Sequence, residues 1–250
     1  MVLTTGTGQW TAIDSGVASA QQHMNTDAYL LSKAADLDGP LLHHYDWKCE
    51  SGTYGYFLDP YKLLDCDAVQ RHNIDLARRP TGGGLLFHIS DLAFSVVVPA
   101  GHPAYSTNIL ENYAFVNNIV IDAIRSFLGN DFAPELLPAE SQPRDAACRH
   151  FCMAKPTKYD VMLDGRKVGG AAQRRTKEGF LHQGTIALGR MKRSLLDELL
   201  LPGTEVSQAM QDTTYPLLGE RWTVADLADA RCALRRALEQ AVGIRQKFLI

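Results

Sequence analysis

The sequence has no stretch approaching the roughly 20 apolar residues that crossing a bilayer requires, and Met1 to Trp10 carries no basic segment leading into an apolar run. These absences exclude a membrane-spanning helix and a secretory leader, so a cytoplasmic protein free of membrane is expected. A large excess of positive or of negative residues is missing as well. The formal net charge of -3 gives no general attraction to nucleic acid or to an anionic membrane, and charged recognition must be local. Arg174, Arg175 and Lys177 form such a patch.

Cysteine is sparse and odd in number. Cys49, Cys66, Cys148, Cys152 and Cys232, scattered through 250 residues, do not make a disulfide framework in a chain large enough to need no staples. Reduced thiols follow. Cys148-Arg149-His150-Phe151-Cys152 brings two thiols and an imidazole together, but no second Cys-x2-Cys supplies a fourth ligand, so no metal site is expected. A phosphate-binding fingerprint is missing too: no Gly-Lys-Ser/Thr follows the one glycine-rich loop, which opens a strand and not a helix.

What is present is 46% hydrophobic and 21% charged, enough for one compact domain over residues 1–250. Ala18 to Ala34 has helical spacing, and Pro40 to Tyr45 and Thr53 to Phe57 read as strands. Val69 to Leu76 reads as a short helix. Arg78-Arg79-Pro80-Thr81-Gly82-Gly83-Gly84 must be a specialised loop, because Pro80 restricts Arg79 and three glycines cost too much backbone entropy inside a regular element. Leu85 to His88 and Leu92 to Pro99 flank Ser90-Asp91 as a β-hairpin. Asn112 to Leu128 is read as a helix with Phe115, Ile119, Ala123, Ile124 and Phe127 on one side. Three strand runs between Tyr159 and Leu188, separated by Asp164-Gly165 and Lys177-Glu178-Gly179, read as an antiparallel meander, and Val224 to Ala241 as a helix. An α+β fold with helices packed on mixed, largely antiparallel sheets follows.

Three constellations carry chemistry. Adjacent glycines let backbone N–H groups approach a ligand, and Arg78 and Arg79 offer it positive charge; the alternative is a bend in a β-rich protein. Cys152 near a positive group has the makings of a nucleophile, with Lys167 on the next strand as its partner; the alternative is a buried apolar thiol. Lys167 precedes Gly169-Gly170-Ala171-Ala172, whose small side chains leave room for a substrate along the strand, unless it is one more solvated lysine. His88 and His182 read equally as site residues or as satisfied core histidines.

Taken in order, Arg78 to Gly84, then His88, Asp91-Leu92 and Ser95, then Gly165-Arg166-Lys167-Val168-Gly169-Gly170-Ala171-Ala172-Gln173-Arg174, and His182-Gln183-Gly184-Thr185-Ile186 resemble the lipoate-protein ligase and lipoyl/octanoyltransferase family over roughly Gln21 to Leu188. The resemblance implies the fold of the biotin/lipoate ligase catalytic domain. It implies an acyl pocket walled by Arg78, Arg79, Thr81, Gly82, Gly83 and Gly84 and lined by His88, Gly169, Gly170, Ala171, Gln173 and His182, with Lys167 on the acyl carbonyl. Cys152, in Cys152-Met153-Ala154-Lys155-Pro156-Thr157-Lys158-Tyr159-Asp160, resembles the nucleophile of the cysteine-dependent octanoyltransferases.

That branch implies octanoyl transfer from an acyl carrier protein to a lysine of a lipoyl domain, of a 2-oxoacid dehydrogenase or of the glycine-cleavage H protein, with no cofactor. The alternative within the family is a ligase using ATP and magnesium through lipoyl-adenylate. The chain beyond Leu188 is short for the accessory C-terminal domain of many ligases, and none is expected here. The loop departs from the biotin ligase type, and Gly169-Gly170-Ala171 departs from the family's usual small-Gly-Ser pattern. A carrier-binding module without turnover is the remaining class.

Overall fold

Ser19 opens the first helix with a capping box, its hydroxyl accepting from Gln22 N–H while the Gln22 side chain accepts from Ser19 N–H. This local signal sets the start of α1 (Ala20–Ser32), directly after β1 (Thr11–Ala18). The computed structural model describes residues 8–244 and the backbone of residues 247–249. Residues 1–7 of the Met1 to Trp10 segment considered above therefore lie outside the described residues.

The chain continues through β2 (Leu41–Trp47), β3 (Ser51–Tyr54), α2 (Cys66–Arg71), β4 (Asp75–Arg78), β5 (Leu85–His88) and β6 (Asp91–Pro99). After these come α3 (Ile109–Leu128), β7 (Glu135–Leu136), β8 (Val161–Leu163), β9 (Arg166–Arg175) and β10 (Gly179–Ala187). The C-terminal part holds α4 (Arg193–Leu199), α5 (Val206–Thr213), α6 (Val224–Ala241) and β11 (Lys247–Leu249). Among the described residues the strands form an eight-stranded sheet, in the order β11-β1-β2-β6-β10-β9-β8-β7, and a three-stranded sheet, β4-β3-β5. The β1–β2, β1–β11 and β3–β4 pairs are parallel and the others antiparallel. No helix of the described residues is long and apolar enough to cross a membrane.

Strand β6 is buried along its whole length because helices cover both faces of the large sheet. Leu92, Phe94, Val96 and Val98 pack against Val116, Val120 and Ile124 of α3 and Leu234 of α6, whereas Val97 meets Leu30 and Leu31 of α1. A separate core holds the small sheet to α4 and α5 through Leu85, Phe87, Phe151, Leu196 and Val206. The expected meander is present as β8-β9-β10, its first turn made by Asp164 and Gly165 at φ 49° and 71°, the left-handed pair that a tight hairpin needs.

Four expectations need correction. Leu85 to His88 does not form a hairpin with Leu92 to Pro99: β5 pairs with β3, while β6 pairs with β2 and β10. The chain changes sheets at Ser90, whose hydroxyl donates to Gly189 O (2.8 Å) and whose carbonyl accepts from Leu188 and Gly189. The helix assigned to Val69 to Leu76 lies earlier, because Asp65 caps it by accepting from Ala68 N–H and Asn73, at φ 50°, ends it. Residues Asp75 and Leu76 are instead in β4. The strand expected over Thr53 to Phe57 stops at Tyr54, and Phe57 is 93% exposed. On α3 the fully buried line is Val116, Val120, Ala123 and Ile124, with Phe115, Ile119 and Phe127 at its margin.

Helix α6 reaches back to that crossover. Arg231 donates to Asp91 O (2.8 Å) and to Ile89 O (3.3 Å), and Arg235 grips both carboxylate oxygens of Asp46.

Candidate active site

Lys167 enters the site because β9 starts beside an irregularity. The pairing with β8 shifts register between Val161 and Met162, and just ahead of it Tyr159 sits at φ 69°, a left-handed conformation unusual for an aromatic residue. Asn117 of α3 secures it by donating to Tyr159 O (2.6 Å). The kink turns Asp160 inward, where its carboxylate meets Lys167 Nζ at 2.6 Å and accepts from Thr157 N–H and Oγ1. Lys167 also donates to Cys152 O (2.8 Å). Its side chain folds across Gly170, where an added Cβ would lie 2.5 Å from Nζ.

The glycine loop is bent around Arg79. Its guanidinium, 4% exposed, donates to Thr53 O and Oγ1 (3.0 and 2.9 Å) and to the carbonyls of Gly82 and Gly84 (3.2 and 2.6 Å). Gly83 takes φ 88°, and Gly84 leaves no space for a Cβ against His150 O, so the loop and the 148–152 segment lie backbone to backbone. Cys152 N–H then donates to Leu85 O (3.0 Å). Cys152 is half-buried at the meeting point of two cavities.

The inner cavity is bounded by Met24, Tyr45, Leu86, His88, Gly170 and Thr185. The outer one is bounded by Gly82 to Gly84, Arg149, Lys155, Lys167, Ala171 and Gln173, with Tyr113, whose hydroxyl burial pushes up to about 12. The arrangement places one thiol between an apolar hole and a polar mouth, with the Lys167 ammonium on the backbone carbonyl of the same residue.

His88 is held rigidly. Thr53 Oγ1 already accepts from Arg79, which leaves its proton for His88 Nε2 (2.8 Å), so the network assigns Nδ1–H to Asp91 (2.7 Å). Burial opposes charge on Asp91, but His88, Thr185 Oγ1 (2.6 Å) and Arg231 outweigh it and hold the carboxyl below its ordinary value. A second buried network backs the loop: Thr81 Oγ1 donates to Gln183 Oε1 (2.7 Å), and Gln183 Nε2 donates to Asp27 Oδ2 (2.6 Å). The other oxygen of Asp27 accepts from Ser95 Oγ (2.5 Å) and meets His43 Nδ1 (2.8 Å).

Of the residues expected at the site, the fold brings together Cys152, Lys167, Gly82, Gly83, Gly84, His88, Gly170, Ala171 and Gln173. Others stand elsewhere. Arg78 is exposed and stacks over Tyr56, 4.8 Å from the ring centre. Arg79 borders the inner cavity but directs its guanidinium to loop carbonyls. Thr81 is wholly buried against Gln183. Gly169 faces Val120 and Val161 in the core, because side chains alternate along β9. His182 lies behind the wall, fully buried, supporting Gln173 through Nδ1 (2.8 Å); burial holds its pKa down to about 3.

Cys148 is fully buried in the core, where burial and Asp145 push its thiol up to about 11. Among the described residues no group of His, Cys, Asp or Glu gathers that could hold a metal ion. Sequence reasoning missed Asp160, Asp27, Gln183, Thr185 and Tyr113 as supports. Asp160, Gln183 and Thr185 stood in motifs already singled out, but nothing in those motifs named their partners.

Residues 19–214 match the lipoyl protein ligase A/B catalytic domain family. Octanoyltransferase LipM of Bacillus subtilis (strain 168) is 32% identical over 205 residues, which span 81% of this chain and 73% of that protein. Octanoyltransferase LipM of Staphylococcus aureus is 31% identical over 184 residues, 72% of this chain and 66% of the relative. Among solved structures, lipoate-protein ligase A bound with ATP aligns at TM-score 0.66 and 21% identity, covering 97% of this chain and 89% of that one. The bi-partite lipoate protein ligase of Thermoplasma acidophilum, described with its E2 lipoyl domain, aligns at 0.67 and 20%, covering 97% and 87%. At such identities the structures bear on the fold alone, but the match over 19–214 settles the family. The chain belongs to the lipoyl protein ligase A/B catalytic domain family.

Proposed function

We propose that the protein is an octanoyltransferase that moves an octanoyl group onto a lysine of a lipoyl domain through a thioester on Cys152. The observation that carries this reading is the position of Cys152, half-buried between an apolar cavity and a polar mouth, with the Lys167 ammonium 2.8 Å from its carbonyl oxygen. The octanoyltransferases at about 30% identity support the acyl group.

In the first half-reaction the Cys152 thiolate attacks the carbonyl carbon of an octanoyl thioester on acyl carrier protein. The tetrahedral oxyanion collapses, the carrier's thiol leaves, and an octanoyl-Cys152 thioester remains. Cys152 N–H is already engaged by Leu85 O, so the oxyanion donors are Lys167 Nζ and N–H groups of the Gly82–Gly84 loop. The eight-carbon tail lies in the inner cavity. In the second half-reaction the neutral amine of the acceptor lysine attacks the thioester, Cys152 departs, and an amide forms. The activation is conserved between thioesters, so the transferase needs no ATP.

Arg149 at the mouth, where Lys155 is paired with Glu140, and Arg174 beside Pro80 suit acidic carrier and lipoyl domains. The same mouth favours the second reading, an ATP-dependent lipoate ligase, because Arg149, Lys155 and Lys167 would face the phosphates of an acyl-adenylate. We also take residues 1–250 as one catalytic domain, acting in the cytoplasm.

Intact-mass analysis after mixing the protein with octanoyl carrier protein tests the proposal. One octanoyl adduct, absent in Cys152→Ser, is expected without ATP. Lipoylation of a carrier domain only with lipoate and MgATP, and no adduct, would transfer the assignment to the ligase.

A further inference from the structure

A second apolar cavity lies beyond the inner one. It is lined by Met153, Met191, Leu196 and Met210, with Asp91 and Arg190 among its polar sides, and holds about 440 Å³ of space not filled by atoms, part of it open to solvent, against about 370 Å³ on the same basis for the cavity beside Cys152. Two residues, Leu86 and Thr185, line both. They differ in what holds them. Thr185 is 4% exposed and tied to Asp91 by its hydroxyl, so its position is fixed by a hydrogen bond that also serves His88. Leu86, opposite Thr53 in the small sheet, is held by packing against the apolar core beneath that sheet.

We propose that the Leu86 side chain is the partition that sets acyl-chain length, and that the methionine-lined cavity behind it takes the distal methylenes of longer saturated chains once that side chain is shortened. The proposal rests on the reading of Cys152 as the acyl acceptor, which fixes where the carbonyl end lies. With that end at Cys152, a tail running down the inner cavity meets Leu86 and stops. The room beyond is apolar along its methionine side and comparable in size to the room before it, and unbranched methionines adapt to a chain of variable shape. Burial of each added methylene is worth about fourfold in binding, so a tail four carbons longer than octanoyl gains strongly if the partition opens.

Acylation rates with octanoyl, dodecanoyl and tetradecanoyl carrier protein, read by intact mass, test this in the wild type, Leu86→Ala, Leu86→Val and Leu86→Ala/Met210→Phe. The dodecanoyl-to-octanoyl rate ratio is expected to rise at least about tenfold in Leu86→Ala and by a smaller factor in Leu86→Val, and to return towards wild type when Met210→Phe refills the far cavity. Thermal melting identifies any variant that does not fold, and Leu86→Val decides the matter if Leu86→Ala is lost. A ratio unchanged in the folded variants, or a gain that Met210→Phe leaves intact, overturns the proposal. Calorimetric titration of the same variants with free octanoate and dodecanoate separates the two readings. If the wild type forms no octanoyl adduct, the reading of Cys152 falls, while the dodecanoate-to-octanoate binding ratio still decides the role of Leu86.

Discussion

The ammonium of Lys167 and the carboxylate of Asp160 lie 2.6 Å apart with side chains only 3% and 4% exposed. Each charge depends on the other, since burying a charge is costly and its partner offsets much of that cost. Asp160→Asn is therefore expected to destabilise the protein by about 3–5 kcal/mol and to lower transfer sharply. Asp160→Asn/Lys167→Met should regain most of that stability and none of the activity. Urea unfolding alongside a transfer assay reads both; a double variant no more stable than Asp160→Asn would show that the pair is not the cause.

Gly84→Ala is expected to reduce activity by more than its effect on stability accounts for. The new Cβ meets the His150 carbonyl, and relief of that clash separates the loop from the segment carrying Cys152. Gly82→Ala is the control, since nothing lies within 4 Å of its Cβ position. Octanoyl-adduct formation per folded molecule distinguishes them, and equal losses in both would count against the close approach as the reason for the glycine.

The two neighbouring thiols should separate in reactivity. Cys152→Ser is expected to lower transfer on the order of 10³-fold or more without unfolding the chain. Cys148→Ser should cost about 1–3 kcal/mol by placing a hydroxyl in the core, and leave folded molecules active. Peptide mapping after brief alkylation near pH 8 is expected to find Cys152 modified and Cys148 intact, because burial keeps the Cys148 thiol protonated.

His182 gives the protein an acid weakness. Its pKa is held down to about 3 in the folded state against 6.5 unfolded, so below 6.5 the unfolded chain takes up a proton that the folded one refuses. Stability is therefore complete above pH 6.5 and falls as pH drops towards 3, by up to about 1.4 kcal/mol per pH unit from this group. His23, also lowered by burial, adds to the same slope. His182→Gln keeps an acceptor for Gln173 and is expected to flatten the dependence of unfolding free energy on pH between 6.5 and 4. An unchanged slope would assign the acid sensitivity to other groups.

Local signals were readable in the sequence where their partners are near in the chain. Asp164-Gly165 announced its hairpin because both residues tolerate left-handed φ, and α6 runs over the expected Val224 to Ala241 because Thr223 and Asp226 form a capping box. The hairpin assigned to Ser90-Asp91 failed for the opposite reason. Ser90 bonds to Gly189 and Asp91 to Thr185, each more than 90 residues away, and no local pattern encodes such a crossing. The site divides in the same way. The glycine loop, Cys152 and Lys167 were legible as residue types, and the resemblance joined them. Gly169 and Gly170 look alike in sequence, yet strand alternation sends one to the core and the other beneath Lys167. Asp160, Asp27 and Gln183 act through residues that only the fold brings near.

The grip of α6 on the sheet crossing gives the chain a timetable. The segment that carries His88 and Asp91 is pinned by Arg231, 140 residues later, and the core above β6 is completed by Leu234 of the same helix. A chain cut after Thr214, where the family match ends, is expected to digest faster at residues 89–91 than the whole protein. During synthesis the consequence is one of order: the pocket wall at residues 88–91 locks only after Arg231 and Leu234 have left the ribosome, so that wall waits for a helix made some 140 residues later.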